Sequence, residues 1–152
     1  MRAIGNRWTA AALLGLWAAM LCTPASAATF TVNATLDEPD AVIDGICGST
    51  PSGQCTLRAA IQEANALAGA DTITLFPGVF DLTRSGFDDA AVFGDLDVTD
   101  TVEVVGAGQA QTEITTLQRA FEVFNGTLTL RDLTLRGVDE SAGTQGGCIH
   151  VA

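Results

Sequence analysis

The chain has 152 residues, with 18 Asp+Glu against 7 Lys+Arg and a formal net charge of −11. Lysine is absent, and no basic patch exists to neutralise phosphates, which argues against nucleic acid and anionic lipid as partners.

The first residues are read apart from the rest. Arg2 and Arg7 precede an apolar run from Ala10 to Leu21, followed by Pro24 and the small residues Ala25 to Ala27. A basic start, a core of this length and small residues at the cut predict a secretory signal peptide over 1–27, not a membrane span. Cleavage after Ala27 leaves residues 28–152, which keep all 18 carboxylates and five arginines. That is enough chain for one domain with a real core. Most of the acid reads as solvated loops that keep an exported protein soluble.

Cys47 and Cys55 bracket GSTPSGQ, a loop of turn formers. In an oxidising compartment a disulfide between them is expected. Closing so small a loop contributes about 2–3 kcal/mol in the chain-entropy picture. A metal site is the rival reading, but His150 is the only histidine and is far away in sequence. Cys148 is the odd thiol, either buried and free or paired outside this chain.

The next stretch, CTLRAAIQEAN, predicts a helix from Leu57 to about Ala68, with Thr56 as its N-cap and Gly69 as its stop. Leu57, Ala60, Ile61, Ala64, Leu67 and Ala68 fall on one face, and Arg58, Gln62 and Asn65 on the other. A cation in the first turn opposes the helix dipole. Arg58 therefore points either to a specific carboxylate or carbonyl partner or to plain solvent exposure.

From Asp71 onward short runs alternate. Ile73 and Leu75, Phe80 and Leu82, Leu96 and Val98, Val102 and Val104, and Phe121 and Val123 each share a face, which is strand periodicity. Two stretches repeat, GDLDVTDTVEVVG (Gly94 to Gly106) and GTLTLRDLTLRG (Gly126 to Gly137). Each holds two short strands joined by a polar bend. In the second copy Leu128 and Leu130 face one way, as do Leu133 and Leu135, so Arg131-Asp132 must turn the chain. A short strand, a corner and another short strand describe part of a solenoid. A β-sandwich fits the periodicity as the alternative.

The stretch DEPDAVIDGICGSTPSGQCTLRAAIQEANA resembles the CSLREA-type domain of secreted bacterial proteins. The matching residues are Asp44-Gly45-Ile46-Cys47, then Cys55-Thr56-Leu57-Arg58-Ala59-Ala60-Ile61, then Ala64-Asn65. The resemblance implies a mostly β chain, the start of a right-handed parallel β-helix. Residues 28–70 would form its amino-terminal cap, with the disulfide loop and amphipathic helix, and 71–152 its first coils. Thr56, Leu57, Arg58, Ile61 and Asn65 would be the cap's working residues. The family's Glu is Ala59 here, which removes a capping box and leaves Thr56 to cap alone, at about 0.5–1 kcal/mol.

The function expected is a secreted or cell-surface structural or adhesive module without catalytic residues or cofactor. The alternative is a carbohydrate-active enzyme, either lyase or glycoside hydrolase, since β-helices include pectate lyases and polygalacturonases. Asp95 and Asp97 share a strand face ~7 Å apart, with Asp88-Asp89 before them, but no basic residue is evident to hold a uronate. Structural calcium is the other open reading, because DEPDAVID and FGDLDVTD offer oxygens, though neither has the EF-hand spacing. GGCIHVA begins like a new strand, with Cys148 and His150 on one face and Ile149 and Val151 on the other. No cap follows it, so the expected partners are the remaining coils of a longer chain or a second copy. A surface or carbohydrate ligand is also open, and no membrane span is expected in the mature part.

Overall fold

A computed structural model describes residues 26–137 and 148–152, so most of the signal segment lies outside the described residues. Among the described residues, alternating apolar side chains make ten short strands, β1 (Thr29–Thr31), β2 (Ala70–Thr74), β3 (Gly78–Leu82), β4 (Leu96–Val98), β5 (Thr101–Val105), β6 (Thr112–Thr116), β7 (Phe121–Val123), β8 (Thr127–Arg131), β9 (Thr134–Arg136) and β10 (Ile149–Val151). One helix, α1 (Leu57–Ala66), lies between β1 and β2. The described chain is therefore mostly strands with one helix.

The strands form three sheets, in the orders β1-β2-β5-β8, β3-β6-β9 and β10-β7-β4. Every pairing between these strands is parallel, unlike the antiparallel neighbours of a sandwich. From β2 the chain visits the three sheets in a constant order and adds one strand to each before starting again. Like residues consequently stack. Phe30, Ile73, Val104 and Leu130 form one row, Phe80, Ile114 and Leu135 a second, and Leu96, Phe121 and Ile149 a third. Within these rows Ile73, Val104, Ile114, Leu96 and Phe121 are fully buried. Burying a side chain of this size stabilises by about 1.5–3 kcal/mol.

The repeat seen in the sequence is real as a local shape but is not the stacking unit. Leu96 and Val98 of the first copy lie in a different sheet from Leu128 and Leu130 of the second, which stack on Val102 and Val104. The copies are two different corners of the same circuit. The second corner turns where expected, with Asp132 at φ 53°.

The helix starts as expected. The Thr56 hydroxyl accepts from the Ala59 N–H at 3.1 Å and donates to the Glu38 carbonyl at 2.6 Å. It ends earlier than expected, at Ala66. Leu67 is already extended, although its N–H still reaches the Glu63 carbonyl at 3.2 Å, and Gly69 (φ 146°) takes the bend into β2. Leu57, Ala60, Ile61 and Ala64 join the same apolar core as the strands. The opposite face is also buried, because the segments around 37–48 and 84–95 fold over it. Arg58, Gln62 and Glu63 are sealed in rather than solvated.

Ile73→Ala removes a fully buried member of the longest row and should cost about 2–5 kcal/mol. Phe87→Ala, at a side chain 88% exposed, should change stability by less than ~0.5 kcal/mol. Urea unfolding of both variants measures the contrast.

Candidate functional site

Two polar centres carry the chemistry of this chain, and the helix supplies the first. The Arg58 side chain has no solvent exposure. Its Nε and Nη2 meet the Asp37 carboxylate at 2.6 and 3.3 Å. Nη1 donates to the Ala91 and Asp95 carbonyls at 3.0 and 3.3 Å, and Nη2 also donates to the Gly94 carbonyl at 2.8 Å. All the N–H directions of the guanidinium are thus used. Asp37 in turn accepts from the Thr83 and Arg84 N–H groups at 2.7 and 2.8 Å. Of the two readings open for Arg58, solvent exposure gives way to a specific partner, a carboxylate and three carbonyls together.

Gln62 and Asn65 continue the stripe at four and seven residues from Arg58, the spacing of one helix face. Gln62 donates to the Ala90 carbonyl at 3.1 Å and accepts from the Asp40 N–H at 2.7 Å. Asn65 donates to the Asp97 carbonyl at 2.7 Å and accepts from the Thr99 N–H at 2.9 Å. The helix face opposite the apolar one is a clamp on the backbone of residues 90–99. Beside it Cys47 and Cys55 are bonded, with Cα atoms 5.0 Å apart, while Cys148 is free and half-buried.

The second centre lies on the outer face of β10-β7-β4. Register puts Asp97, Glu122 and His150 side by side on neighbouring strands. Asp95, Asp97 and Glu122 each bring a carboxylate oxygen within 4.8 Å of the others. Arg119 donates to Asp95 at 2.6 Å and to Glu122, and His150 Nδ1 lies 2.9 Å from Glu122. Asp97 is fully buried. One of its oxygens accepts the Ala91 N–H at 2.7 Å, and the other has no partner among the described residues. Burial pushes its pKa up to about 7, helped by the Asp95, Asp88 and Glu122 carboxylates and opposed by the Ala91 N–H.

These three carboxylates are the residues that could hold a cation. FGDLDVTD contributes two of them, so that half of the calcium reading finds a cluster. The Arg119 guanidinium already sits against two of the three carboxylates, supplying positive charge there. DEPDAVID gathers no such cluster among the described residues. Its acids are committed to backbone turns and neighbours, as Asp40 to the Val42 and Gly48 N–H groups, Asp44 to Ile46, and Glu38 to Ser49 and Ser52. A groove of about 200 Å³ lies nearby, lined by Leu82, Thr83, Arg84, Ser85, Gly94, Thr116, Leu117 and Gln118, and by none of the three carboxylates.

Of the residues singled out from the sequence, Thr56, Leu57, Arg58, Ile61, Asn65, Cys47 and Cys55 all gather around the helix. The sequence assigns no role to Arg119 or Glu122, and it marks Asp37 only within DEPDAVID and His150 only as the lone histidine of the last strand. Only the parallel register sets Glu122 beside Asp97 and His150 beside Glu122, and Arg119 is the basic residue missed there. Comparison with models of protein families, with curated proteins and with solved structures finds no match.

Asp37→Ala leaves a buried guanidinium without its counter-ion and should cost about 3–5 kcal/mol in urea unfolding. Asp97 gives a pH signature. The unfolded chain ionises it near 3.8 and the folded chain near 7, so between these values the folded state holds the extra proton. Its contribution therefore falls as pH rises through that window. Asp97→Asn should abolish this loss and be more stable than wild type at pH 8, on the order of 1–3 kcal/mol, with little difference at pH 4. Thermal melts across the range measure it.

Proposed function

We propose that this chain is exported, and that its mature part is the amino-terminal cap and first coils of a right-handed parallel β-helix of the CSLREA type. Its role is structural or adhesive at the cell surface. The observation that carries this reading is the constant circuit through three all-parallel sheets, with the helix packed into the same core. An amphipathic helix at the end of stacked strands shields apolar side chains that water would otherwise meet. The motif residues fit that role, since Arg58 and Asn65, with Gln62 between them, spend their polar groups on backbone and on the Asp37 carboxylate rather than on an open site. The Cys47–Cys55 bond fits an oxidising compartment. Among the described residues no helix is long and apolar enough to cross a membrane. Further coils of a longer chain, a second copy or a surface carbohydrate are the partners this role requires.

The enzyme reading keeps one specific observation in its favour. A carboxyl group titrating near neutrality beside two other carboxylates is what a general acid needs. Against it, Asp97 is fully buried and no carboxylate of the cluster lines the groove.

Incubating the mature protein with pectin, polygalacturonate and alginate in the presence of calcium separates the two. The structural reading expects no new reducing or unsaturated ends. Turnover that Asp95→Asn or Asp97→Asn abolishes would make the enzyme reading the right one.

A further inference from the structure

Asp71 stands in the wrong place for an acid. It is on β2, two residues before Ile73 and on the same face, and register stacks it with Val102 and Leu128. It is 1% exposed. A carboxylate in an apolar row needs donors for both oxygens and a positive charge nearby. It has one donor. The Ala28 N–H meets Oδ1 at 2.7 Å, and Oδ2 is buried without a partner among the described residues.

Ala28 is also where the sequence sets the export cut. Ala25, Ser26 and Ala27 are the small residues before it, and Ser26 and Ala27 are exposed. Ala28 itself is half-buried against the core, and its carbonyl accepts the Thr72 N–H at 2.9 Å. In the uncut chain the Ala28 nitrogen is an amide with a single hydrogen.

Resting on the export reading, we propose that cleavage of the Ala27–Ala28 bond makes an ion pair between the new Ala28 ammonium and the buried Asp71 carboxylate, locking β1 onto β2 in the exported chain. Hydrolysis by an export protease breaks the peptide bond. Water supplies the hydroxyl of the departing Ala27 carboxyl group and a hydrogen to the Ala28 nitrogen. At neutral pH the amine takes one more proton from solvent. The nitrogen then carries three N–H donors and a unit positive charge, enough for both Asp71 oxygens. A cut one residue earlier leaves Ala28 N an amide, and a cut one residue later removes it. The folded mature chain thus depends on the position of its own processing site.

The absence of lysine makes the test clean, because the mature chain's α-amine is its only primary amine. A mature chain prepared with Ala28 first is acylated with an amine reagent at neutral pH, in wild type and in Asp71→Asn. An opposite charge raises an amine's pKa by a unit or more, and each unit lowers the reactive free amine tenfold. Wild type should react about tenfold or more slowly than Asp71→Asn, and the difference should vanish in urea. Equal rates in the folded proteins overturn the ion pair and leave the export reading standing. A chain beginning at Ala27 should melt several degrees below the one beginning at Ala28, and equal midpoints overturn the lock. Mass spectrometry of the exported protein should find Ala28 first, and any other first residue overturns the export cut and the inference together.

Discussion

The buried Arg58 guanidinium is the interaction on which the rest of the molecule leans. A cation sealed from water persists only with its charge balanced and its N–H groups accepted. Meeting that demand draws together three parts of the chain distant in sequence. Asp37 brings the segment after β1, and the Thr83 and Arg84 N–H groups bring the end of β3. The Ala91, Gly94 and Asp95 carbonyls bring the long connection into β4. That connection then covers the outer face of β4. Ala91 receives Arg58 on its carbonyl and gives its N–H to Asp97. The burial that perturbs Asp97 is therefore a consequence of the arginine on the helix.

The same economy explains the acidic charge. Asp37, Glu63, Asp71, Asp95 and Asp97 are interior groups that organise backbone or arginine. Glu63 accepts the Asp44 and Gly45 N–H groups at 3.0 and 2.7 Å, and burial still raises its pKa. Carboxylates here do the work that hydrogen-bonded strand edges do elsewhere, holding irregular segments with few residues of regular structure. The expectation that acid means solvated loops holds for part of the chain only.

Stacking parallel strands also changes what a repeat means. Gly106 and Gly126, which border the two repeated stretches, serve the approach of successive layers. A Cβ at Gly106 would collide with the Asp132 carbonyl oxygen of the next layer. The chain can be regular in space while its internal spacing varies, because a longer connection such as that between β3 and β4 loops outward before entering the next sheet of the circuit. Matching by sequence alone joins corners of similar shape, and matching by register joins rows of similar side chains.

Local chemistry made several features legible from the sequence. Period-two alternation marked the strands other than β1 and β6, Thr56 marked the helix start, loop size and compartment paired Cys47 with Cys55, and the helix dipole marked Arg58 as a residue either partnered or solvated. Each depends on residues close in the chain. The tertiary structure alone decided which sheet each strand joins, that Gln62 and Asn65 read backbone rather than water, and that Asp97, Glu122 and His150 stand in one row. Those outcomes depend on strand register and on a connection folding back over a helix face. Both are set by contacts between residues tens of positions apart, where no periodicity carries the signal.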